Sequence, residues 1–325
     1  MKHLLKALLF FVSVLFSGVF MPSCNNNSQP PSPQPRWTYL KAGEGLVNNE
    51  ITSFAKDGNN DIWIGTNYGF SKFDGSNFQN WRVTDGLIYH SINCIAVDKE
   101  NNIWLGTDYG ASKFDGTNFT NFNTNNGLGY NTVSAIAADN ENKIWFGTGK
   151  GVSMYDGENW THYVKTAGES LVHNIVTSVA VDLNNHKWFG TEFGASEFYN
   201  GVWITYLSDN SLADFIFTVY HDNDGNIWFG TLAGVLEYNG TNYNSYTTAD
   251  GLVFNEVRVI FNDSKGNMWF GTQFGVSKFD GTTWKTYNSS NGLSSDWVTA
   301  ITEDKEGRIW FGTVNKGISI LELAQ

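Results

Sequence analysis

Ile309-Trp310-Phe311-Gly312-Thr313 decides the fold, because it is one of seven such pentapeptides in the chain. With small variations the others place their tryptophans at Trp63, Trp104, Trp145, Trp188, Trp228 and Trp269. The intervals along the series to Trp310 are 41, 41, 43, 40, 41 and 41 residues. Outward from each copy the same pieces return. Upstream lies an apolar segment ending in Asp, as in Val298-Thr299-Ala300-Ile301-Thr302-Glu303-Asp304. Downstream comes a run such as Gly275-Val276-Ser277-Lys278-Phe279-Asp280-Gly281, then two aromatics three apart (Trp284 and Tyr287), then Gly292-Leu293.

These pieces read as four short strands. The upstream segment is the first. The pentapeptide is the second, and being apolar at every position it must be buried on both faces. Val-Ser-Lys-Phe is the third. The aromatic pair alternates with polar residues, as suits a fourth strand at an exposed edge. The Asp-Gly between the third and fourth strands is a tight turn needing positive φ at Gly. Stretches such as Asp222 to Asn226 turn the first strand into the second. Their spacing does not match a calcium loop, and turn chemistry accounts for the Asp.

Four strands every roughly 40–45 residues is the period of a β-propeller. The Gly-His and Trp-Asp pairs of WD40 repeats are missing, and kelch repeats are longer. The last copy stops after its third strand, Ile318-Ser319-Ile320-Leu321. The missing fourth strand is Trp37-Thr38-Tyr39-Leu40, which stands at the right distance from Gly45-Leu46. The expectation is an all-β, seven-bladed propeller over 37–325, four antiparallel strands per blade, closed by the N-terminal strand completing the last blade. Those 289 residues give about 41 per blade, which leaves nothing for a second domain.

Composition agrees. Hydrophobic residues make up 41% of the 325, enough to fill a core, and Gly is 34 while Pro is 5. Charged residues are 16%, below the roughly 25% of an average soluble domain. The net charge is −12, becoming −14 if Lys2 and Lys6 leave with a leader, so a phosphate backbone would be repelled and no nucleic-acid partner is expected.

Residues 1–23 read as a signal peptide. Lys2 and Lys6 precede an uncharged apolar run, Ala7 to Phe20, of 14 residues, shorter than the roughly 20 that span a bilayer. Ser23-Cys24 after such a run resembles a bacterial lipoprotein box. The resemblance implies diacylation of Cys24, export, and anchoring to the envelope, on the periplasmic side of the outer membrane rather than the cell surface. The alternative is an ordinary signal peptide with an incidental Cys. Residues 24–36 then form a flexible tether. Cys94 is left without a disulfide partner and reads as a small buried hydrophobe.

The repeats, with Asp304, Gly307-Arg308-Ile309-Trp310-Phe311-Gly312-Thr313 and their six counterparts, resemble the two-component regulator propeller repeat. That family commonly forms periplasmic sensor propellers, often fused to histidine kinases and thought to recognise glycans. No kinase or output domain is read here, so the resemblance implies a recognition module needing a partner to signal. A weaker resemblance is to streptogramin B lyase, another seven-bladed propeller.

Function should lie where the repeats differ. The loops before the first strands and those between the second and third strands meet on one face. One loop position is always Asn, His or Asp: Asn49, His90, Asn131, Asn174, Asp214, Asn255 and Asp296. A side chain there caps the loop backbone. Around it stand Tyr68, Tyr89, Tyr109, Tyr130, Phe193, Phe215, Phe254, Phe274 and Trp297. Rings interleaved with His90, His173 and Glu256 suit a glycan or a small envelope ligand, or an envelope protein partner, with blades one to three as the centre. A propeller lyase or hydrolase would have to use His90, His173 and a carboxylate, Glu50 or Glu256. No cofactor or metal motif is read, and no enzyme is expected.

Overall fold

The computed structural model describes residues 35–168, 170–207 and 212–323. The expected leader, Cys24 and nearly all of the tether lie outside the described residues. The pentapeptide is a strand in all seven copies, and each of its five residues is buried in every copy. A strand apolar on both faces can be covered only if sheets stack against both sides, and that is the arrangement found. There are seven four-stranded antiparallel sheets; in six the strands follow chain order from first to fourth, and in the seventh the N-terminal strand stands fourth. The first strands are Ile51–Lys56, Cys94–Val97, Val133–Ala138, Val176–Val181, Ile216–His221, Val259–Asn262 and Val298–Glu303. Each touches the next around a circle, and the last touches the first. The expected seven-bladed propeller is therefore the fold.

Closure runs as the missing strand required. Arg36–Leu40 pairs antiparallel with Gly317–Glu322, with Trp37 opposite Leu321 and Leu40 opposite Ile318. The strand begins one residue before the expected boundary. A hydrogen bond on the inner wall also crosses this seam: Thr299 Oγ1 donates to Ile51 O at 2.6 Å. Thr299 is free to do so because the first strand bulges there, a register shift lying between Val298 and Ala300.

Each turn between the first and second strands is built around its Asp. Asp263 Oδ1 accepts the backbone N–H groups of Lys265 at 3.0 Å and Asn267 at 2.8 Å. Its Oδ2 accepts the indole N–H of Trp269, six residues on, at 2.8 Å. The same Asp-to-Trp bond occurs in all seven blades, at 2.6–3.1 Å. One carboxylate thus makes the turn and orients the largest core side chain, which is the turn chemistry the spacing suggested.

In every blade but the fifth, which has Leu236 at that place, the entering loop is pinned to the third strand by a serine. Val47 N–H donates to Ser71 Oγ and Ile88 N–H to Ser112 Oγ, each at 3.0 Å. Among the described residues, four of these loops also hold a short 3-10 turn that the sequence reading did not anticipate.

Candidate functional site

In an antiparallel blade, the turn after the second strand and the loop before the first strand fall at the same end. The turn has a fixed internal geometry. In blade two, Thr107 Oγ1 donates to Gly110 O at 2.8 Å and accepts the N–H of Tyr109 at 3.1 Å. Gly110 has φ +130°, and a Cβ on it would lie 2.1 Å from Phe122 O, so only glycine fits. The residue between Thr and Gly is forced outward. Tyr68 is 55% exposed and Tyr109 57%. Phe193, Phe274 and Trp297 are also exposed.

On blades one and two the rings form a continuous row. Tyr68 lies 6.0 Å from His90, His90 4.1 Å from Tyr89, and Tyr89 4.3 Å from Tyr109, centroid to centroid. Tyr89 and His90 come from the loop entering blade two, while Tyr68 and Tyr109 come from the turns of blades one and two. The row is held from below. His90 Nδ1 is 3.2 Å from Asn67 O, and Asn93 Nδ2 donates to Asp108 Oδ1 at 2.9 Å. The Arg82 guanidinium caps one end, 5.9 Å over Tyr68. Sequence reasoning missed Arg82. It stands just after the fourth strand of blade one, where the closing blade has Lys41.

The remaining candidates are dispersed into pairs. Tyr130 lies under the Lys150 ammonium at 4.7 Å, His173 beside Phe193 at 4.7 Å, and Phe254 beside Phe274 at 4.6 Å. Phe215 packs on Phe217, over which the Arg258 guanidinium sits at 4.5 Å. Glu256 accepts from Arg258 Nε at 2.6 Å. Among the described residues no hydrogen bond or ion pair joins any two of His90, His173, Glu50 and Glu256.

The expected capping bond is present around the ring. Asn49, Asn131, Asn174, Asn255 and Asp296 each accept a loop N–H through Oδ1, at 2.6–2.9 Å. Asp214 is buried. His90 makes no such cap and is given over to the ring row. Cys94 is half-buried, and its sulfur is enclosed against Gly106, where burial pushes the thiol up to about 12.

Six segments match the family described as "Two component regulator propeller": residues 45–68, 86–109, 127–150, 210–233, 251–274 and 292–315. The corresponding stretch of blade four is the seventh and is not matched. No curated protein matches the chain. Among solved structures, the chain is similar to the extracellular domain of BT3049, a putative hybrid two-component system of B. thetaiotaomicron. That likeness has 25% identity and a TM-score of 0.77, covering 89% of this chain and 41% of that one. The chain thus spans about two-fifths of that domain. Streptogramin B lyase matches at 16% identity and a TM-score of 0.71, over 89% of this chain and 98% of that one. PorZ, a surface component of the type-IX secretion system of Porphyromonas gingivalis, matches at 16% and 0.67, over 85% and 47%. The last two show the fold.

Proposed function

We propose, for this propeller of the two-component regulator repeat family, that it works outside the cytoplasm as a ligand-recognition module. Its contact surface is the row Arg82, Tyr68, His90, Tyr89 and Tyr109, with Trp297, Tyr130, His173, Phe193, Phe254 and Glu256 as further contacts around the same face. The observation that carries this reading is the row itself. The rings are spaced at 4.1–6.0 Å, and Tyr68, His90 and Tyr109 stand exposed around the half-buried Tyr89, leaving apolar surface in water that the core does not use. Such rings present flat faces to the C–H faces of sugars, while Arg82, His90 and Asp108 supply polar contacts at their edges. A glycan of the envelope is the ligand class that uses both, and an envelope protein is the second.

The likeness to an extracellular sensor domain supports an exported location. Acylation at Cys24 would hold the propeller to the membrane, with 24–36 as the tether and no other membrane contact. A sensing role would pass through a partner protein. A lyase or hydrolase reading receives less support, because His90, His173 and Glu256 are each engaged with a different neighbour.

A thermal-shift screen of the protein against glycan fragments and cell-wall pieces tests this. A ligand at 100 times its Kd stabilises the fold by about 2.7 kcal/mol. An upward shift lost in Tyr109→Ala and Tyr68→Ala supports the glycan reading. Absence of any shift, with a pull-down that also gives no partner sensitive to Tyr109→Ala, overturns the assignment of this face.

A further inference from the structure

On the opposite face, the seams between blades repeat the same wall positions but not the same filling. Where blade seven meets blade one, Arg308 fills the seam. Its Nε donates to Asp304 Oδ2 at 2.6 Å and its Nη2 to Glu306 Oε2 at 3.2 Å. Phe73, Asp74 and Gly75 face it, and only about 10 Å³ stays open.

The seam between blades two and three keeps these walls. Asp98, Glu100 and Trp104 stand where blade seven has Asp304, Glu306 and Trp310, and Tyr155, Asp156 and Gly157 face them. The position of Arg308 is taken by Asn102. Its short side chain turns back onto Asp98, donating at 2.8 and 3.1 Å, and reaches only 3.4 Å from Glu100. The result is a groove of about 390 Å³.

We propose that this groove is a receptor for a guanidinium group, presented by an arginine side chain of a partner polypeptide. The chain itself shows a guanidinium in the equivalent seam, held by Asp304 and by Glu306, the counterpart of Glu100. Charge agrees. Asp98, Glu100, Glu141 and Asp156 line the groove against a single ammonium, Lys113. Glu141 is already paired with Lys143 at 2.7 Å, and Asp156 Oδ1 accepts the N–H groups of Glu158 and Asn159, so Glu100 and Asp156 Oδ2 on opposite walls are what the groove offers. Trp104 and Phe122 form the buried floor of the groove, and Tyr155 is its half-buried aromatic wall. A planar, weakly hydrated cation can lie against Tyr155 while its fork reaches a carboxylate. Lys113, 5.5 Å over Trp104, places positive charge on one wall. That disfavours a compact divalent ion, which would concentrate its charge beside it.

The site lies on the face away from the ring row, so it stands or falls separately from the recognition reading. The test is isothermal titration of the full chain at low ionic strength with N-acetyl-arginine amide and, in parallel, its neutral citrulline counterpart. The expected result is one arginine site per chain, with citrulline at least tenfold weaker. Asn102→Arg should fill the groove as Arg308 fills its own and abolish the titration. Glu100→Gln, a milder change at an exposed position, should weaken it about tenfold. Tyr109→Ala should leave it unchanged. Equal binding of citrulline, full binding by Asn102→Arg in a folded protein, or no arginine binding up to millimolar concentration would each overturn the proposal.

Discussion

Asp139 shows how much one carboxylate carries in this chain. Its Oδ1 accepts the N–H groups of Glu141 at 2.8 Å and Lys143 at 3.0 Å. Its Oδ2 accepts Trp145 Nε1 at 3.0 Å and lies 3.1 Å from Lys187 Nζ, a buried lysine reaching over from blade four. Burial works against the charged form, but those hydrogen bonds outweigh it and hold the carboxyl below the ordinary Asp range. A depressed native pKa means that the stability is fully present above the unfolded value of about 3.9 and is lost as pH falls through the native value. Asp139→Asn should therefore cost about 1–3 kcal/mol near neutrality and flatten the acid limb of a stability-versus-pH curve below about pH 4. An unchanged limb would remove Asp139 from that role. The contrast between buried and exposed aromatics is a second test at this scale. Trp145 is 2% exposed, so Trp145→Ala should cost about 3–5 kcal/mol in denaturant unfolding. Tyr109→Ala should stay within about 0.5 kcal/mol, since its ring is 57% exposed and meets Tyr89, itself outside the core.

The element that makes the proposed contact face is the turn Thr-x-aromatic-Gly, not a strand. Its glycine is the point of leverage. Gly110→Ala would place a methyl against Phe122 O in a backbone region closed to L residues. The expected cost is about 1–3 kcal/mol, with Tyr109 displaced from Tyr89 and ligand affinity reduced at least tenfold. Near-native stability together with near-native affinity would show that the turn does not set the ring position. Much of this element was legible. The repeat exposed the strands, and the non-repeating residue between Thr and Gly marked Tyr68 and Tyr109. What was not legible is adjacency. Tyr89 meets Tyr109 across 20 residues and Tyr68 meets His90 across 22, because the entering loop and the turn converge only once the sheets are stacked. The Asp-to-Trp interval of six was visible in every repeat, yet its hydrogen bond depends on the turn curling back beneath the second strand. Arg82 escaped notice because nothing in a linear reading places the end of a fourth strand beside the next turn.

At the scale of the molecule, the seams between blades carry what the repeats alone do not encode. Asn102 and Arg308 occupy the same repeat position, and a linear reading gives no reason to prefer either. Only the stacked sheets show that one leaves a groove and the other closes it. Closure of the ring, by contrast, was readable from the missing fourth strand, and it concentrates stability in a few residues far apart in sequence. Trp37 packs 6.0 Å from Tyr287 and 5.9 Å from Phe311. Gly292 admits its indole, since a Cβ there would lie 2.1 Å from Trp37 Nε1. Tyr39 donates through its hydroxyl to Gly292 O at 2.8 Å, 253 residues away. Without Arg36–Leu40, the strand Gly317–Glu322 would become an open edge in which Ile318 and Leu321 lose the cover that now leaves them fully buried. Trp37→Ala should cost about 2–4 kcal/mol while keeping a single calorimetric transition, because the backbone ladder remains. Deleting residues 1–40 should do more than any single substitution: the transition should broaden or split, and light scattering should report association through the freed edge. A deletion variant that melts within about 2 °C of the intact chain would mean that the ring is held by its blade-to-blade faces and not by the strand that closes it.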